Sequence, residues 1–238
     1  MYNYNHLVAN SRVTGSGRRP NNQAPAGNVA DVAGMIRKGL LVGDYAPGQR
    51  LVEADLCEQL QCSRFIARMA LQVLASEGLV EIQRNRGARV RAVPVEEAIE
   101  ITEVRMALEG FTAARAAERV TASDVAELRR ILNLMQEAVK SLELLTYSDL
   151  NARLHSKIRA IAGNQTCTRT IEQLMGQVVR HQFALSLKPG RASVSLVQHK
   201  EIIRTIAAGD TLGAERAMKD HLSSVIEELR SRPAVPRL

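Results

Sequence analysis

Aromatic side chains make up only 3% of this 238-residue chain, with no Trp at all. Base-stacking platforms of the kind that hold single strands or RNA are therefore poorly supplied. Cysteine is almost as scarce. Cys57, Cys62 and Cys167 form an odd set with no CxxC or Cys/His ribbon spacing, which argues for reduced thiols in a cytoplasm-like compartment. No window offers the roughly 20 uninterrupted apolar residues of a membrane span, and the first residues lack the apolar core of a signal peptide. The expectation is a soluble, cytoplasmic protein with no membrane partner.

Positive charge, by contrast, is in excess. The net charge is +7 and the isoelectric point about 9.7, which suggests an anionic partner, and with stacking residues missing, duplex DNA is the better candidate. The length suits two domains of ordinary size, large enough to bury a core without disulfides or metal. Residues 1–27 are rich in Asn, Gly, Pro and Ser and read as a disordered tail carrying Arg18 and Arg19. Residues 233–238 read as a C-terminal tail.

Between residues 28 and 93 the pattern is that of a winged helix-turn-helix. Val29, Val32, Ile36 and Leu40 recur at helical spacing until Gly43 and Pro47-Gly48 stop the helix. A short helix over Glu53 to Leu60, a tight connection at Gln61-Cys62 and an N-cap at Ser63 lead into a second helix ending near Ser76. Residues 79–83 and 88–91 alternate with period two around Arg84-Asn85-Arg86-Gly87, a hairpin with Gly at its turn. Arg64 and Arg68 share one face at the start of the second helix, the end that enters the major groove in such folds, and Arg84 and Arg86 sit at the hairpin tip. Six Arg against Glu77 and Glu81 give residues 64–91 a local +4. The alternative is a basic surface on a protein-binding winged helix.

After Val93-Pro94 everything to residue 232 reads as an all-α antiparallel bundle of about six helices, near 95–118, 123–144, 147–162, 166–187, 193–208 and 211–231. The fold class is thus mostly α, with the hairpin its β part. Three histidines fall on apolar stripes: His155, His199 and His221. His199 lies 11 residues before Asp210 and His221 lies 11 after it, so an antiparallel hairpin around Gly209-Asp210 levels them. Asn151 shares the face of His155. The four could surround one divalent ion, although no short metal signature such as HExxH is present, and hydrogen-bonded core histidines remain the other reading. Arg105 could grip a carboxylate or simply pair with Glu109 four residues on, and His181 shares a stripe with Leu174, Val178 and Leu185.

Two resemblances add to this. The run from Gly39 through Asp44, Pro47-Gly48 and Leu56, then Ser63-Arg64, Ala70-Leu71, Glu77-Gly78-Leu79-Val80 and Asn85-Arg86-Gly87-Ala88, resembles the GntR family of regulators. It departs at Ile66, where the family usually has Pro, and at Met69, where it usually has Glu. The resemblance implies DNA contacts by Arg64, Arg68 and the backbone of Gly87, beside Ser63, Arg84 and Arg86. Glu103-x-Arg105-x-x-Leu108-Glu109, Asn151-x-x-Leu154-His155, Ala162-Gly163-Asn164, His199-x-x-Ile202 and Met218-x-x-His221-Leu222 resemble the FCD effector domain of the FadR-type subgroup. That likeness implies a divalent metal, Zn first with Ni or Mn as alternatives, held by Asn151, His155, His199 and His221. Asn151 stands where Asp is common and Leu154 where Phe is common. It also implies a small carboxylate effector in a cavity faced by Arg105, to which His181, by its stripe alone, could be added as a further ligand-binding group. The expected protein is a homodimeric repressor of a double-stranded operator and not an enzyme; a metalloenzyme and a protein-interaction scaffold are the rival classes.

Overall fold

A computed structural model describes residues 28–84 and 86–231. The tails expected over 1–27, with Arg18 and Arg19, and over 233–238, together with Asn85 at the hairpin turn, lie outside the described residues. Helix α1 (Val29–Val42) opens with the Asn28 side chain accepting from the Asp31 amide and closes on Gly43 at φ 91, a left-handed position that favours glycine. A short strand β1 (Arg50–Leu51) precedes α2 (Glu53–Leu60), which ends as Gln61 turns left-handed and the Cys62 amide donates back to the Cys57 carbonyl at 3.2 Å. The turn is then complete. In α3 (Arg64–Ser76) Ser63 is the N-cap, its Oγ accepting from the Ile66 amide at 3.3 Å. A Pro at 66 would have no N–H to give, so Ile66 supplies a cap bond that the usual family residue cannot.

Ala67, Ala70, Leu71 and Leu74 form the buried stripe of α3 and pack with Val32 and Ile36 of α1, and Leu56 of α2 completes the cluster. Each fully buried Leu or Ile contributes about 1.5–3 kcal/mol, so this small core is held by a few side chains. Strands β2 (Val80–Gln83) and β3 (Gly87–Val90) pair antiparallel with Ile82 opposite Ala88, and β1 adds to the other edge of β3 with Leu51 also opposite Ala88. The sequence reading gave the hairpin two strands. The third is only two residues long, too short to show alternation, and exists because β3 offers it an edge.

Helices α4 (Val95–Arg119), α5 (Ala122–Lys140), α6 (Leu144–Ala162), α7 (Gln165–Ser186), α8 (Arg191–Ala207) and α9 (Thr211–Arg230) build the second unit. The long α4 runs through its middle, packed against α6, α7, α8 and α9, and its Ala113, Ala116 and Ala117 let those neighbours approach closely. Leu128, Ile131 and Met135 of α5, Leu154 and Ile158 of α6 and Ile202 and Ile206 of α8 are all buried in one core. The break between α5 and α6 falls over 141–143, earlier than the sequence pattern places it. Neither Gly nor Pro marks it; Leu142 takes φ 57 while 80% exposed, and the Glu143 amide donates to the Ala138 carbonyl at 2.9 Å. Among the described residues no helix is long and apolar enough to cross a membrane.

Helix α7 joins the two units. Gln173 Nε2 donates to the Ser76 carbonyl at 3.1 Å, Arg91 Nη1 donates to Gln177 Oε1 at 3.1 Å, and His181 Nε2 lies 2.8 Å from the Val93 carbonyl of the linker. A methyl added at Gly78 would press on Gln177, so the turn after α3 sits directly against α7.

Candidate nucleic-acid interface and histidine cavity

The first turn of α3 is a polar, solvent-facing surface. Ser63, Arg64 and Arg68 are exposed there, with Arg84 and Arg86 exposed at the wing and Gly87 beside them at φ 81. Arg64 makes no ion pair among the described residues. Arg68 is clamped instead: Nε and Nη2 donate to the two Glu53 carboxylate oxygens at 2.9 and 2.8 Å, and these bonds hold the Glu53 carboxyl below its usual range. Arg50 Nε donates to the Arg86 carbonyl at 2.9 Å and fixes the wing tip. Arg91 is turned the other way, bonded to Glu97 and Gln177, so it adds to the basic count of the segment without facing this surface. Sequence reasoning passed over Phe65, which is 70% exposed next to Arg64; a large apolar side chain left bare at the start of such a helix suits a thymine methyl.

The three histidines arrive from three helices, α6, α8 and α9. Each lies on its helix's buried face, and the α8–α9 turn sets His199 and His221 level, with ring centroids 4.5 Å apart. His155 stands 5.4 Å from each of them. One nitrogen from each ring falls within 4.8 Å of the others, and His155 Nε2 and His199 Nε2 are 3.4 Å apart.

Outward bonds orient the rings. His155 Nδ1 lies 3.0 Å from Glu109 Oε2, and an ionised carboxylate can only accept, so Nδ1 carries a proton and Nε2 is the ring nitrogen turned inward. His221 Nδ1 likewise meets Gln198 Oε1 at 2.9 Å, and His199 Nδ1 meets the Tyr147 hydroxyl at 3.3 Å. Burial, joined by the charge that a neighbouring histidine would carry, depresses the pKa of both His199 and His221, so their rings stay neutral. For Glu109 burial pushes upward, but the Arg105 guanidinium and the His155 hydrogen bond outweigh it and hold the carboxyl well below the usual range. Three rings that each turn one nitrogen inward and hold the other on an outer hydrogen-bond partner are the donor set a divalent metal requires. Nitrogens about 2.0–2.1 Å from one tetrahedral ion stand about 3.4 Å from each other, so the His155–His199 separation fits.

Beside the triad lies a cavity of about 630 Å³, the size that takes a small metabolite. Arg105, Asn151, His155 and His221 line it; His199 is fully buried behind them. Arg105 is buried and its guanidinium is engaged: Nε and Nη2 donate to Glu109 Oε1 at 2.9 and 2.6 Å, and Gln182, with its amide turned to satisfy both groups, accepts from it as well. Cavity wall and ion-pair partner are thus one residue. His181 is not among the residues that line the cavity. It sits on the face of α7 that meets the linker, bonded to Val93. Glu109, Tyr147 and Gln198 escaped sequence reasoning as site residues because their partners lie 46, 52 and 23 positions away. The i+4 relation of Arg105 to Glu109 was the one local signal.

Comparison with known proteins agrees with this geometry. Residues 28–90 match the model of bacterial regulatory proteins of the gntR family, and residues 100–224 match the FCD domain. The chain is 28% identical over 196 residues to the transcriptional repressor RspR of Escherichia coli K12, covering 82% of this chain and 86% of that one. It is 30% identical over 219 residues to a putative L-lactate dehydrogenase operon regulatory protein of the same organism, covering 82% and 83%. Among solved structures, that of E. coli McbR/YncC has a similar fold, with a TM-score of 0.73, 24% identity and coverage of 85% of this chain and 96% of that one. These relatives are transcriptional regulators and not enzymes. A basic winged helix joined through α7 to an FCD domain makes this chain a DNA-binding transcription regulator that belongs to the GntR family.

Proposed function

We propose that the chain is a cytoplasmic repressor that binds a two-fold symmetric operator as a homodimer and releases it when a small carboxylate occupies the FCD cavity beside a divalent metal. Ser63, Arg64, Arg68, Arg84, Arg86 and the Gly87 backbone are its DNA contacts. His155, His199 and His221, with Asn151 from the same face of α6, hold the metal, zinc before nickel or manganese. Such an ion supplies a positive centre to which a carboxylate oxygen can bind. Arg105 is the protein's own cation at that wall, kept in place by Glu109. The observation that carries the reading is the convergence of three buried, outwardly tethered His on a cavity with an Arg in its wall.

Other features point the same way. RspR is named a repressor, and the other relative's operon is named for L-lactate, a small carboxylate. On α4, Val104 and Phe111 are exposed two turns apart, with half-buried Leu108 between them, an apolar face suited to a second copy of the chain. Ligand control then requires only that the two operator-spacing states differ in their affinity for the ligand. The test is fluorescence anisotropy with a labelled promoter fragment from upstream of the protein's own gene, at low salt, with zinc-loaded protein. Submicromolar binding that short carboxylates weaken and that Arg64→Ala weakens by about tenfold or more is expected. No binding to that fragment in the absence of any carboxylate would overturn the reading.

A further inference from the structure

Arg191 opens α8, just after Gly190 at φ 79, and its side chain is 93% buried against the same cavity, opposite in chemistry to the apolar wall around it. Nη1 donates to Ser224 Oγ at 2.7 Å, whereas Nη2, also buried, has no hydrogen-bond partner among the described residues. The carboxylate that acts on Arg191 electrostatically, Glu228, is already bonded to Lys188 and to Ser231 Oγ, and Asp149, the one carboxylate in the cavity wall, forms no ion pair with it. A buried guanidinium with a free N–H edge is costly unless something completes it. Arg105 differs, since Glu109 neutralises it and Gln182 occupies its remaining edge.

We infer that Arg191 is a second anion anchor of the cavity and that the effector carries two acidic groups, one taken at the histidine end and the other by Arg191. The inference rests on the proposed effector reading of the cavity and names the class of molecule it selects. Two facts set the reach. Arg191, His155 and His221 line the same cavity of about 630 Å³, so anchor and triad face one volume. Ser195, one turn along α8 from Arg191, lines the cavity together with Tyr147, the outer partner of His199, so the two ends are joined by one short rigid stretch of helix. A monoacid satisfies one end and leaves a buried charge bare at the other. A short dicarboxylate satisfies both.

The experiment is titration calorimetry on the full-length, zinc-loaded protein with straight-chain dicarboxylates from malonate to adipate, each beside its half-amide of equal length. A preference of about tenfold or more for at least one diacid over its half-amide is expected, because a charge-assisted bond to Arg191 is lost in the amide. Arg191→Gln should bring that pair to near equality while leaving the half-amide affinity and the zinc stoichiometry unchanged, and Arg191→Lys should restore part of the preference. A preference that survives Arg191→Gln, or diacids and half-amides that bind the wild type equally, overturns the role of Arg191 and leaves the carboxylate reading intact. If neither series binds the wild type, both readings fall.

Discussion

At the scale of single residues, charge placement decides more than charge total. Arg64 and Arg68 are a turn apart, yet only Arg68 is tied down, by Glu53 of the preceding helix. Removing each should therefore act differently. Arg64→Ala should weaken operator binding at every salt concentration and lower the salt slope by about one ion. Glu53→Gln should instead free Arg68, remove a negative group from the same surface, and tighten binding several-fold at low salt; anisotropy titrations across a salt series read both. The same scale governs the histidines. His199→Ala takes away the fully buried ring of the triad, and metal content after gel filtration should fall from near one ion per chain to near zero. In chelator-treated protein the depressed rings of His199 and His221 set the pH dependence. Unfolded chains take up protons near the ordinary His value of 6.5 while the folded rings stay neutral, so stability falls as pH drops below about 6.5. Each ring contributes at most about 1.4 kcal/mol per pH unit, and Glu109 adds its own loss only below its ordinary value of 4.5. Chemical denaturation between pH 7.5 and 5 should show this decline, and a flat profile would contradict neutral buried rings.

At the scale of elements, what the sequence announces depends on whether a local signal exists. α1, α2, α3 and the hairpin are marked by Gly43, Gln61-Cys62, Ser63 and the glycine at 87, and the structure places the ends those signals mark within a residue or two of them. The α5–α6 break has no such marker, because Leu142 adopts a left-handed conformation that its residue type does not advertise, and the apolar period runs on across it. The site divides the same way. His155, His199 and His221 reveal themselves by their stripes and by the symmetry of a hairpin, both local properties. Their outer partners do not, since Glu109, Tyr147 and Gln198 depend on helix packing that no single stripe encodes. His181 is less legible: a shared stripe with Leu174 and Leu185 does not say which neighbour that part of the helix meets, and here its ring meets the linker at Val93. One element can be tested directly. Gly87 begins β3 at φ 81, and a methyl there would collide with the Leu51 carbonyl oxygen of β1. Gly87→Ala should cost about 1–2 kcal/mol in backbone strain alone, with the clash added, and so detach β1 from β3. Denaturant midpoints measure the first effect, and loss of operator binding without loss of metal binding measures the second.

At the scale of the molecule, the core of the winged helix and the main core of the helical unit are separate, and a third, smaller apolar cluster of α4, α7 and Leu229 takes in Val93 of the linker. The cluster around Val32, Ile36, Leu56 and Leu71 shares no buried residue with the cluster around Leu128, Leu154 and Ile202. What crosses between them is α7: Met175, Val179 and Gln182 line the cavity, while Gln173, Gln177 and His181 hold the turn after α3, Arg91 and the linker. A helix that lines the cavity on one side and holds the DNA-binding unit on the other is placed to carry the differential binding energy of the proposed effector to the recognition helix. These hydrogen bonds of α7 are few, so they should bias the domains without fusing them. Calorimetry should then resolve two unfolding transitions. On the proposed reading zinc binds only the folded helical unit, and it should then raise that transition by the mass-action term, about 2.7 kcal/mol at a hundredfold excess over the dissociation constant. The winged-helix transition should follow by only a fraction of that shift. Gln177→Ala removes the contact to Arg91 and opens the packing against Gly78, and it should abolish the fraction transmitted while leaving the zinc-dependent rise of the helical unit in place. A winged-helix transition that still follows zinc in Gln177→Ala would show that the coupling travels by α4 and the linker rather than by α7.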